Sequence, residues 1–130
     1  MTLEQKVAAK ALELITTVRS AGNEPSLSET EYRAHTEGLP ALLRSCGLSR
    51  TLAFLNARNE TQKLIASHLE IQLRNTCMLD AKTGLQQYVA ECSLPEYRVC
   101  SKLTMLIALW QKRIAQARLR PKPKEKEKQS

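Results

Sequence analysis

The run from Pro95 to Arg120 constrains this chain's fold more than any other part of it. Taken at ~100° per residue, Val99, Leu103, Leu106, Ile107, Trp110, Ile114 and Ala117 fall in one broad arc, which predicts a long amphipathic helix with that arc on the core. Nearly opposite lie Arg98, Lys102, Met105, Leu109, Lys112, Gln116 and Arg120. A face that only meets water does not require Met105 and Leu109, so this basic and apolar stripe is a candidate contact surface. Ser93 is placed to cap the helix, and Pro95 fits its first turn, where a missing N–H costs nothing.

The rest of the chain reads in the same helical period. Leu3, Val7, Ala11, Leu14 and Val18, with Ile15 beside them, predict an amphipathic helix over residues 3–19. "AGNEPSLSE" then breaks the chain, and Ser28 can cap a second helix starting near Glu29. That helix is expected to be disturbed at "GLP", to resume from Pro40 to Cys46 and to stop at Gly47. Ser49 would cap a short third helix to about Arg58, and Asn59 a fourth reaching Leu79. "DAKTG" reads as a turn and "LQQYVAEC" as a short fifth helix. With aromatics at 4% and Leu and Ala abundant, the class is all-α: one bundle of about six helices over residues 1–120. Residues 121–130, "PKPKEKEKQS", are wholly polar and predict a disordered tail.

Charge and chemistry narrow the function. The net charge of +7 is unevenly placed: residues from Lys112 onward carry +6, and the first 111 residues only +1. No run approaches the ~18 apolar residues of a membrane span, and "MTLEQKVAAK" lacks a signal peptide's apolar stretch, so a cytoplasmic location with no membrane partner is expected. Cys46, Cys77, Cys92 and Cys100 match no metal or redox spacing and read as small buried apolar residues. His35 and His68 lack partners at ligand spacing, and His68, near Leu64 and Ile65 on an apolar arc, reads as a core histidine. Asp80 is the only aspartate, no carboxylate pair converges, and no glycine-rich phosphate loop exists. These absences predict a protein that is not an enzyme and has no metal or other cofactor.

Residues 38–58, "GLPALLRSCGLSRTLAFLNAR", hold the remaining signal. "SCGLS" fits the tight turn of a helix-turn-helix, whose second helix would offer Arg50, Thr51 and Asn56 to DNA bases. Leu48, Leu52, Phe54 and Leu55 make that helix apolar and argue that it is chiefly core. Arg50, Phe54 and Arg58 share one face; a buried Phe54 under arginine stems is the expectation, with an exposed stacking platform as the alternative.

Longer stretches resemble a known family. "YRAHTEGLPALLRSCGLSRTLAFLNAR", "LIASHLEIQL" and "YVAECSLPEYRVCSKLTMLIALWQKRIAQA", with the opening "EQKVAAKALELI", are similar to the Cmr small subunit of type III-B CRISPR effector complexes. The likeness spans nearly the whole chain apart from the tail, and its most specific part is the G-L-P … G-L … L-A-F pattern. The resemblance implies a non-catalytic helical bundle in a ribonucleoprotein. Its expected partners are copies of itself, the backbone subunit, the large polymerase-like subunit, CRISPR RNA and target RNA. On that reading Arg44, Arg50, Arg58, Lys102, Lys112 and Arg113 are the candidate phosphate contacts, and Met105 and Leu109 the candidate subunit contacts. A type III-A small subunit, a DNA-binding helix-turn-helix regulator and a helical adaptor without nucleic acid are the alternatives.

Overall fold

Short polar side chains start the helices where local sequence places them. In a computed structural model, which describes residues 1–20 and 28–121, the helices are α1 (Leu3–Ser20), α2 (Glu29–Asn56), α3 (Glu60–Asn75), α4 (Leu85–Glu91) and α5 (Leu94–Arg118). Ser28 accepts from Glu31 N at 3.2 Å, and Asn59 from Gln62 N at 3.0 Å. Ser93 and Glu96 exchange both bonds of a capping box, with Pro95 in the first turn. The predicted break around Gly22 and Pro25 and the predicted tail after Pro121 lie outside the described residues.

Five helices stand where about six were expected, because α2 and the predicted third helix form one element bent at Gly47. Its backbone there has φ 82° and ψ 168°, a region open essentially to glycine alone. The expected disturbance at "GLP" is absent: the helix continues through Pro40. Pro40 forfeits one helical bond, and burial of Leu39, Pro40 and Leu43 along the same side offsets that loss.

Helix α3 ends at Asn75 rather than at Leu79. Met78 N donates to Leu73 O at 3.0 Å and Cys77 N to Arg74 O at 3.1 Å, the paired bonds of a Schellman C-cap. Cys77 occupies the left-handed position of that cap at φ 64°, where glycine is usual. Arg74 then organises the turn into α4 by donating to Asp80 O and Thr83 O, and Glu70 accepts from Leu85 N at 2.6 Å.

Helix α5 packs on α1, α2 and α3, and its buried seam is Cys100, Thr104, Ile107, Ala108, Gln111 and Ala115. That seam is the predicted arc advanced by one residue, about 100° around the helix. Val99 is 56% exposed, and Leu103, Trp110 and Ile114 flank the core instead of filling it. Ala108 and Ala115 are wholly buried in the seam, and Gln111 turns inward because it has partners there. The Trp110 indole N–H donates to Glu4 at 3.1 Å, tying α5 to the first turn of α1.

Those partners form a buried chain across four helices. Gln72 Nε2 donates to Val7 O at 2.9 Å and to Gln111 Oε1 at 3.3 Å. Gln111 Nε2 donates to Tyr32 Oη at 2.8 Å, and Tyr32 Oη lies 2.6 Å from His68 Nδ1. Tyr32 Oη accepts from Gln111 and keeps its own proton free to donate to Nδ1, an arrangement that suits a neutral His68 ring. Burial pushes His68 down to about 4 and holds the Tyr32 hydroxyl protonated well above its ordinary range. At its far end α5 is clasped to the start of α2: Arg33 Nη1 donates to Leu119 O at 3.1 Å and Arg120 N to Glu29 Oε2 at 3.2 Å.

The buried histidine makes stability depend on pH. His68 binds a proton near pH 6.5 when unfolded but only near pH 4 when folded, so stability is full above pH 6.5 and falls as pH drops through that window. The expected loss is about 3 kcal/mol, read from urea midpoints between pH 7.5 and 4, and His68→Gln removes that part of the slope. Cys77→Gly relieves a left-handed backbone at an exposed site and raises unfolding free energy by about 0.5–1 kcal/mol in the same assay.

Candidate interaction surface

No aspartate or glutamate occurs in residues 38–59 or 97–120, and these two acid-free stretches meet where α2 packs on α5. Acids elsewhere pair with the neighbouring bases: Glu37 with Arg33, Glu70 with Arg74 and Glu29 with Arg120. Among the described residues, Arg44, Arg50, Arg58, Lys102, Lys112 and Arg113 make no ion pair with a carboxylate. Arg44, Arg50, Arg58, Lys102 and Arg113 are exposed and Lys112 half-buried.

The Gly47 bend opens a cleft of 300 Å³ between α2 and α5. Leu43 and Leu48 line it from the two arms of α2, with Tyr97, Ser101, Lys102 and Met105 from α5. Tyr97 spans the bend: its hydroxyl accepts from Ser49 N at 3.1 Å and lies 3.8 Å from where a Cβ on Gly47 would stand. Ser101 Oγ is buried and has no hydrogen-bond partner. Lys102 and Met105, two residues singled out on the last helix, thus reach the corner formed by residues 43–48. Met105 is half-buried and packs against the core, a consequence of the one-residue rotation of the seam. Leu109, one turn on, is half-buried.

A second group lies on the outer face of the segment after the bend. Phe54 is 38% exposed, against the expectation of a buried ring, while Leu48, Leu52 and Leu55 on the same segment are buried. Arg58 Cζ sits 4.5 Å from the Phe54 ring centroid, and Arg50 precedes Phe54 by one turn. Farther along α5, Arg113 Cζ lies 5.5 Å from the Trp110 ring. The structure therefore gathers Lys102 with Met105 and Arg50 with Arg58, and leaves Lys112 and Arg113 farther along α5.

The geometry disfavours base reading by this corner. Of the three side chains that a DNA-reading helix would present, Thr51 is buried and bonded to Leu42 O, and Asn56 donates to Gln86 at 3.0 Å. Of the cysteines, only Cys100 is fully buried; Cys46 and Cys77 are exposed and Cys92 is intermediate. Among the described residues no cluster of three or more His, Cys, Asp or Glu could hold a metal ion. No helix among them is long and apolar enough to cross a membrane.

With that geometry established, residues 3–118 match the family described as CRISPR-associated protein (Cas_Cmr5). The chain belongs to the Cmr5 family. It is also similar to the crystal structure of a CRISPR-associated Cmr5 family protein from Thermus thermophilus. That likeness has 32% identity and a TM-score of 0.73, over 90% of this chain and 97% of that one. A comparison with curated proteins gives no match. Family and fold thus agree with the likeness to a Cmr small subunit that the sequence carries.

In this Cmr5-family chain the bend has its own cost. Gly47→Ala meets no steric obstacle, since the nearest atom is at 3.8 Å, but forces an L-residue into a glycine-only conformation. Unfolding free energy is expected to fall by about 2 kcal/mol. Tyr97→Phe, which strips only the bond to Ser49 N, is expected to cost about 1 kcal/mol in the same denaturation assay.

Proposed function

We propose that this chain is the non-catalytic small subunit of a type III-B effector ribonucleoprotein in the cytoplasm. Copies stack beside the subunit backbone that carries the CRISPR RNA, meet the large polymerase-like subunit at one end and help hold target RNA along the guide. Membership of the Cmr5 family supports the assembly. The observation that carries the RNA contact is the meeting of two acid-free helical stretches whose cations, Arg120 apart, make no ion pair among the described residues. Arg44, Arg50, Arg58, Lys102, Lys112 and Arg113 neutralise phosphates on this reading, without selecting bases. Met105 and Leu109 are the apolar part of the subunit contact.

Leu109 is the cleaner probe of that contact, because Met105 also packs on the core. Leu109→Glu in the isolated chain is expected to change unfolding free energy by no more than about 0.5 kcal/mol. The same variant is expected to fail to incorporate into the reconstituted ribonucleoprotein, where a buried unpaired carboxylate is costly. Lys102→Gln with Lys112→Gln is expected to flatten the salt dependence of RNA binding by up to ~0.7 per lost contact. Normal incorporation together with an unchanged salt slope would refute the assignment of this surface.

A further inference from the structure

The segment from Leu48 to Asn56 buries its leucines and holds its one aromatic ring out. Leu48, Leu52 and Leu55 are 1–2% exposed, whereas Phe54, the only phenylalanine of the chain, is 38% exposed. Arg58 lies over that ring at 4.5 Å, and Arg50 stands four residues before it, so cation, ring and cation alternate along one helix face. The steps are about 6 Å each. Neither arginine has a carboxylate partner among the described residues, and no acid occurs from Gly38 to Asn59.

We infer that this outer face is a stacking step for one unpaired base of single-stranded RNA, with Arg50 and Arg58 holding the phosphates on either side. The inference rests on the RNA-contacting function proposed above and adds the part of the nucleotide that is touched. A ring capped by a guanidinium offers π surface and positive charge together, which suits a base and its phosphates. Base edges go unread: Thr51 is buried, and Asn56, about 200° around the helix from Phe54, is bonded to Gln86. The step is therefore indifferent to sequence, as a subunit serving any guide requires.

The test uses the full chain and two probes of equal length, an oligouridylate and an abasic ribose-phosphate strand. Phe54→Leu is expected to weaken oligouridylate binding about tenfold, while abasic-strand binding and the salt slope stay unchanged. Phe54→Trp restores the π face and is expected to restore affinity, which separates stacking from a folding defect. Arg50→Gln is expected to weaken both probes alike. If both strands bind and Phe54→Leu changes neither, stacking is overturned and the RNA contact stands on the cations alone. If neither strand binds the unaltered chain, both readings fall. If Phe54→Leu spares RNA binding but blocks incorporation into the ribonucleoprotein, the face meets protein, and the stacking step is overturned.

Discussion

The buried hydrogen-bond chain from Val7 O through Gln72, Gln111 and Tyr32 to His68 is what the other features depend on. Each of these groups would cost about 1–3 kcal/mol if buried without its partner. Hydrophobic contacts alone tolerate small rotations of a helix; this chain does not, because turning α5 by one residue would withdraw Gln111 from Tyr32. Fixing α5 in turn fixes its flanks. Tyr97, Ser101 and Met105 then face the bend in α2, and Lys102 stands at the edge of the cleft. The candidate surface is thus set from the core outward.

Local signals were legible in the sequence, and distant ones were not. Ser28, Asn59 and Ser93 cap the helices expected of them, since a cap and its target amide lie three residues apart. The apolar face expected for α1 is buried at Val7, Ala11, Leu14, Ile15 and Val18, but not at Leu3, which is 49% exposed at the helix start. The seam of α5 was misplaced by one residue because periodicity weighs side-chain hydrophobicity, and the actual seam holds Thr104, Ala108, Gln111 and Ala115. Only partners as far away as Tyr32 and Gln72 explain an inward glutamine. Tyr97 was missed for the same reason: its link to Ser49 joins positions 48 residues apart. Phe54 was expected inside on its hydrophobicity, yet it lies opposite the buried leucines of its own segment.

Net charge is also a poor guide to where charge acts. The first 111 residues sum to only +1, which suggests a neutral body. The acids, however, concentrate on elements where Arg33, Arg74 and Lys63 neutralise them, leaving the acid-free stretches uncompensated except at Arg120, which pairs with Glu29. A sequence average conceals that separation, and packing α2 on α5 brings the uncompensated parts together.

The clasp at the end of α5 has a practical consequence. Because Arg33 and Glu29 hold Leu119 and Arg120, the end of α5 is pinned beside the first turn of α2. Eighteen helical residues separate Glu29 from Gly47, a span of roughly 27 Å along the axis. A fluorophore placed at Pro121 therefore stands at the far end of the first arm of α2 from the bend. A dye on the exposed Cys46, by contrast, would sit directly beside the bend.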